Sequence, residues 1–157
     1  MKNINAIPTR YNGHLFRSRL EARWAVFFDE LRIEWMYEVE GYSFKGYKYL
    51  PDFYLPRFNF FCEVKPVYVK EKKHILFSKY KKTELVILEG LPIFKGPSDH
   101  HIVFSNGEEV CPALMMNKNG KPEAYLWYSE YPEEDYYNNV KYASSVACSK
   151  QFEFLKV

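Results

Sequence analysis

The chain is poor in everything that would make a secreted, membrane-bound or metal-stapled protein. It has three cysteines in 157 residues, Cys62, Cys111 and Cys148. Their number is odd, their spacing is wide and no CxxC pair occurs, so neither a disulfide framework nor a zinc knuckle is indicated. No apolar run approaches the length of a membrane span, and the opening MKNINAIPTRYNG has no apolar signal core. A reduced, soluble, cytoplasmic protein is the expectation, with no membrane partner. There is no internal repeat and no low-complexity tract. Net charge is also slight, at +2.

Aromatic residues are plentiful instead, at 19%, with 14 Tyr and 13 Phe. That richness favours β-structure carrying large side chains on half-buried faces. Charge is uneven along the chain. Lys65, Lys70, Lys72, Lys73, Lys79, Lys81 and Lys82 face a single acid, Glu71, while Arg10, Arg17, Arg19 and Arg23 gather near the start. Glu130, Glu133, Glu134 and Asp135 make an acidic stretch near the other end. A basic face of this kind fits a polyanion, although charge runs are as often just solvated surface.

Periodicity supplies the elements. Phe16, Leu20, Trp24, Phe27, Phe28 and Leu31 recur at three- and four-residue steps, which predicts a helix over 16–31. Alternation predicts strands over 35–39, 47–55 and 58–64, the last stopped by Pro66. A basic helix over 70–82 follows, with His74 and Phe77 on its packing side. Then comes LVIL, 85–88, a strand apolar enough to be buried on both faces. Helix, three strands, helix, strand reads as an α/β sandwich with a mixed sheet. Beyond Gly90, five prolines break the chain into short pieces, with strands expected at 101–104, before Asn106-Gly107, and at 125–128.

The chemistry lies in YLPDFYL (49–55) and FFCEVK (60–65). A hairpin turning at Arg57-Phe58 sets Asp52 opposite Glu63, where facing Cβ atoms stand about 5 Å apart. Lys65, two residues on, projects from the same face. Around these three charges that face carries Leu50, Tyr54 and Phe61, and unpaired charge in apolar surroundings is costly. A divalent ion resolves the conflict. Two carboxylates with the Val64 carbonyl and waters suit Mg²⁺, with Mn²⁺ as substitute. Such an ion acidifies an attacking water and offsets charge on phosphate oxygens. Lys65 would orient the water, help deprotonate it, or stabilise developing charge.

Pro51-Asp52 followed by Glu63-Val64-Lys65 resembles the PD-(D/E)xK signature of restriction-endonuclease-like nucleases. FRSRLEARWA (16–25) and YLPDFYLP (49–56) resemble a phage-encoded branch of that superfamily, in which a helical Glu, here Glu21, stands beside the metal site. The resemblance spans about half the chain, from Gly13 to Gly90, and implies a restriction-endonuclease-like core in 1–90 with an extension, 91–157, completing or decorating the same domain. It implies a Mg²⁺-dependent endonuclease acting on duplex DNA, encoded by a phage or other mobile element. Asp52, Glu63, Val64 and Glu21 would hold the metal, Lys65 would assist the water, and Arg17, Arg19, Lys70, Lys72 and Lys73 would meet the nucleic acid. Cutting both strands would call for a homodimer. Two competing readings are a silent nuclease-fold binding module that regulates or inhibits nucleic-acid machinery, and an RNA-directed nuclease. Glu21 has a bland reading too, because Ser18-Arg19-Leu20-Glu21 is a capping box. His14, His100 and His101 read as loop histidines.

Overall fold

A computed structural model describes residues 6–93, 102–110 and 133–153, the side chains of 133–137 excepted. The described residues begin with a hairpin, β1 (Thr9–Tyr11) and β2 (His14–Phe16). Asn12 and Gly13 turn it, both at positive φ, as a tight two-residue connection requires. Phe16 therefore belongs to a strand, and α1 runs only over Arg19–Glu30. Ser18 caps that helix by accepting the Glu21 N–H at 3.1 Å. The other end closes without glycine. Arg32 takes the left-handed conformation, and Ile33 N–H returns to the Phe28 carbonyl at 2.8 Å, a Schellman turn that also drops Ile33 into the core.

The main sheet has six strands: β3 (Met36–Tyr37), β6 (Phe53–Leu55), β7 (Phe60–Lys65), β8 (Leu85–Glu89), β9 (Ile102–Ser105) and β10 (Glu108–Val110). Their spatial order is β10-β9-β8-β7-β6-β3. All neighbours are antiparallel except β7 and β8, whose parallel pairing is bridged by α2 (Lys72–Lys81). The fold is thus α/β with a mixed sheet. Asn106-Gly107 turns β9 into β10 as its composition predicts.

Both faces of the sheet are covered. Phe53, Leu55, Cys62, Val64, Val86 and Leu88 pack with Trp24 and Phe28 of α1 on one side. Phe61, Leu85, Ile87 and Phe104 pack with Phe77 of α2, Phe44 and Tyr49 on the other. LVIL alternates between the two cores and is fully buried, as its continuous apolar run predicts. Each such side chain stabilises the fold by about 1.5–3 kcal/mol relative to exposure.

Three expectations need correction. The strand expected over 47–55 divides between β5 (Tyr47–Tyr49), which pairs with β4 (Tyr42–Phe44) in a separate hairpin, and β6 in the main sheet. Leu50, Pro51 and Asp52 lie between them, since proline cannot donate to a ladder. The strand expected over 35–39 keeps two residues, because Glu38 adopts φ 45° and ends it. A long helix, α3 (Glu133–Ser149), stands in the half read as short pieces. Val140, Ala143 and Ala147 bring it against α1, and Arg23 closes its end by donating to the carbonyls of Ala147, Cys148 and Lys150. The strand expected at 125–128 lies outside the described residues, as do His100, His101 and Cys111. Among the described residues, Cys62 and Cys148 are free thiols, and no helix is long and apolar enough to cross a membrane.

Candidate active site

The register of β6 and β7 brings the acids together. Phe53 pairs with Cys62, Tyr54 with Phe61 and Leu55 with Phe60, which is the pairing that a turn at Arg57-Phe58 dictates. The ladder stops one residue short of Asp52, at the bend that separates β5 from β6. From there the Asp52 side chain reaches across the end of β7, and its Oδ2 accepts the Val64 N–H at 2.7 Å. Its Oδ1 accepts Arg17 Nη2 at 2.6 Å. Glu63 projects toward the α2 side. Its Oε1 pairs with Lys65 Nζ at 3.0 Å, and its Oε2 accepts the Tyr49 hydroxyl at 2.7 Å. Asp52 is 2% exposed and Glu63 5%.

Glu21 joins this network from the first turn of α1. The sequence raised the possibility that its carboxylate turns back to the Ser18 amide. Instead it accepts the Ser18 hydroxyl at 2.8 Å through Oε1 and the Tyr37 hydroxyl at 2.6 Å through Oε2. Tyr37 in turn accepts the Arg17 N–H at 3.1 Å. Arg17 spans two acids, pairing with Glu38 Oε1 through Nε and with Asp52 through Nη2, both at 2.6 Å. Glu21, Asp52, Glu63, Val64, Lys65 and Arg17 are thereby linked at one end of the sheet.

The electrostatics follow from burial. Asp52 is pushed up to about 8, first by loss of water and then by the charges of Glu63 and Glu21, against the opposing pull of the Val64 N–H and Arg17. Burial and the Glu63 charge raise the Tyr49 hydroxyl. Burial opposes the Lys65 ammonium, but Glu63 outweighs it and the net movement is upward. His74 is held down at about 4 by burial.

The donors are hard oxygens of the type Mg²⁺ takes. Burial and like charge disfavour the ionised Asp52, and a cation would reverse that. In this arrangement, however, every oxygen of Asp52, Glu63 and Glu21 already has a protein donor. Among the described residues no three His, Cys, Asp or Glu side chains are grouped to hold an ion. An ion would therefore rest on the Asp52 and Glu63 pair, and would have to replace Arg17 at Oδ1 or Lys65 at Oε1.

Comparison with models of protein families, with curated proteins and with solved structures finds no match to this chain. Local geometry and chemistry carry the functional reading.

The remaining basic residues are dispersed. Arg19 begins α1 and lines a cavity of about 330 Å³ with Arg23, Ser149, Lys150, Gln151 and Phe152. Lys70 pairs with Glu109 at 2.9 Å and Lys73 with Glu71 at 3.3 Å, while Lys72 is exposed. His14 packs its ring against Trp35, with centroids 4.9 Å apart. Sequence reasoning missed Tyr37, Tyr49 and His74. The first two sat in plain alternating strand patterns, with nothing to separate a donor to a carboxylate from a packing tyrosine. His74 was placed on the packing side of its helix, where it is fully buried, but nothing in the sequence foretold its approach to Glu63.

Proposed function

We propose that this chain is a metal-dependent endonuclease hydrolysing phosphodiester bonds of duplex DNA, built on a restriction-endonuclease-like core and of phage or mobile-element origin. One observation carries the reading. Asp52 and Glu63, both almost wholly withdrawn from water, stand at the end of paired strands near enough for the Glu63 charge to raise Asp52, with Lys65 on the second strand. Such an acid pair contributes nothing to folding that apolar residues would not supply better. Asp52 and Glu63, with the Val64 carbonyl, would hold Mg²⁺ or Mn²⁺. Bound there, the ion supplies positive charge to the phosphate oxygens and acidifies an attacking water. Lys65, about a third exposed, orients the nucleophile and stabilises charge developing on the phosphate. Tyr49 fixes the Glu63 carboxylate, and Glu21 holds Tyr37 and through it the Arg17 backbone. The Arg17 side chain is more than half exposed and can pass from Asp52 to a phosphate oxygen. A homodimer would place one such site on each strand.

The test is incubation of the full chain with supercoiled plasmid, linear duplex, single-stranded DNA and RNA, in Mg²⁺, Mn²⁺ or EDTA. Cleavage of duplex that requires the ion and disappears in Asp52→Ala and Lys65→Ala is the expected result. Cleavage in EDTA, or undiminished in both variants, refutes it.

A second reading, a binding module without catalysis, is favoured by the closure of the network. Arg17, the Val64 N–H, Lys65, Tyr49, Ser18 and Tyr37 satisfy the three carboxylates with no ion. Salt-sensitive DNA binding with no cleavage of any substrate would select it.

A further inference from the structure

Besides Lys65 and Tyr49, Glu63 has a third side-chain neighbour. His74, from the first turns of α2, is fully buried, and its Nε2 stands 3.8 Å from Glu63 Oε1 with no hydrogen-bond partner. The other ring nitrogen is anchored. Nδ1 lies 2.9 Å from the Tyr68 hydroxyl, whose oxygen also takes the Glu71 N–H at 3.3 Å. The rings of Tyr49 and Tyr68 pack at 5.4 and 5.5 Å and fix the imidazole plane.

A buried nitrogen without a partner is costly in a folded protein. The distance excludes a hydrogen bond to Glu63 but suits a shared ion. With metal–donor bonds of about 2.1 Å, two donors of one ion stand roughly 3 to 4.2 Å apart. The support is also of the right kind, since a metal-binding histidine usually has its other N–H held by an acceptor that sets the tautomer. With Nδ1–H donating to Tyr68, Nε2 presents its lone pair toward Glu63.

We infer that His74 Nε2 and Glu63 Oε1 together bind a first-row transition ion, so that the site prefers Mn²⁺ and its heavier neighbours over Mg²⁺. This inference rests on the nuclease reading and names the metal class it would use. Mg²⁺ takes oxygen donors and gives up water reluctantly, whereas imidazole suits transition ions. Lys65, at the same oxygen and partly exposed, swings outward as the ion enters.

Pulsed electron paramagnetic resonance of Mn²⁺ bound to the full chain tests this directly, through hyperfine coupling to a ligand nitrogen. The expected result is a histidine nitrogen coupling that changes on ¹⁵N-histidine labelling and disappears in His74→Gln. Mn²⁺ affinity in that variant falls at least about tenfold, while Mg²⁺ affinity, read by competition, changes by less than about threefold. If His74→Gln fails to fold by circular dichroism, a triple variant decides: His14→Gln, His100→Gln, His101→Gln retains the coupling if His74 is the ligand. Mn²⁺ that binds, is released by Glu63→Gln and shows no nitrogen coupling overturns the inference and leaves the nuclease reading standing. Mn²⁺ that does not bind at all overturns both.

Discussion

Replacing Asp52 by asparagine should make the protein more stable at slightly alkaline pH, which is an unusual expectation for a residue that makes an ion pair. Folding raises the Asp52 carboxyl from 3.8 to about 8, chiefly by burial and then by Glu63 and Glu21. Between those values the folded chain keeps a proton that the unfolded chain releases, so stability falls as pH rises. His74 acts the other way. Its folded value is depressed from 6.5 to about 4, so it costs stability as pH falls below 6.5 and contributes no slope above it. The window from pH 6.5 to 8 therefore isolates Asp52. Across those 1.5 pH units the loss is about 2 kcal/mol, at about 1.4 kcal/mol per unit. For a chain of 157 residues, that is a fall in Tm of roughly 4–8 °C. Asparagine keeps an acceptor for the Val64 N–H and gives up the charge facing Arg17, whose own side chain is more than half exposed and stays solvated. Urea denaturation at pH 6.5, 7.25 and 8 should show the decline in wild type and a flat profile in Asp52→Asn, with the variant the more stable at pH 8. On the proposed function, saturating Mg²⁺ should remove the wild-type decline, because an ion held by the ionised carboxylate would stabilise the folded state. A wild-type stability that is constant or rises across this window refutes the electrostatic reasoning, as does an equal decline in the variant.

Lys65→Ala should lower the rate of plasmid cleavage by about 10²–10³-fold, and should also lower Tm, because it leaves a buried oxygen of Glu63 without its donor. Leu88→Ala, in the strand buried on both faces, should cost about 2–5 kcal/mol in urea denaturation; a loss under 1 kcal/mol would contradict its place in the core. Ser18→Ala removes the cap of α1 and one donor to Glu21, so it should cost about 0.5–2 kcal/mol of stability. Ser18→Asp would restore the cap while adding a repelling charge beside Glu21, so stability and cleavage should separate in that variant.

The parts of the fold that sequence made legible are those where one physical rule acts alone. The Arg57-Phe58 turn and the alternation on either side of it dictate the β6–β7 pairing, since a one-residue slip would set Cys62 and Val64 on the opposite face from Phe53 and Leu55. LVIL is likewise unambiguous, since a run with no polar position has no exposed face to offer. The misread segments are those where two rules compete. Tyr47 to Leu55 alternates throughout, but Pro51 interrupts the ladder, and that break lets one half join β4 while Asp52 bends over the end of β7. Glu38 and Arg32 adopt left-handed conformations that their side chains do not announce. The α3 stripe is made of Val140, Ala143 and Ala147, too small to stand out by hydropathy yet well suited to a close approach to α1.

Glu21 shows how far such reasoning reaches at the site. A capping box assigns the glutamate carboxylate to the Ser18 amide and would remove it from any chemistry. Here the serine hydroxyl does two things at once, accepting the Glu21 N–H and donating to Glu21 Oε1. The helix end is satisfied by the serine alone, and the second carboxylate oxygen is left to take the Tyr37 hydroxyl that also receives the Arg17 N–H. Cap and site are therefore compatible roles of one residue. What the sequence could not foresee is the cation beside Asp52. Arg17 follows β2 and precedes the helix cap, so its reach to Asp52 depends on where the hairpin β1–β2 delivers the chain, a matter of tertiary packing around Phe16 and not of any local pattern.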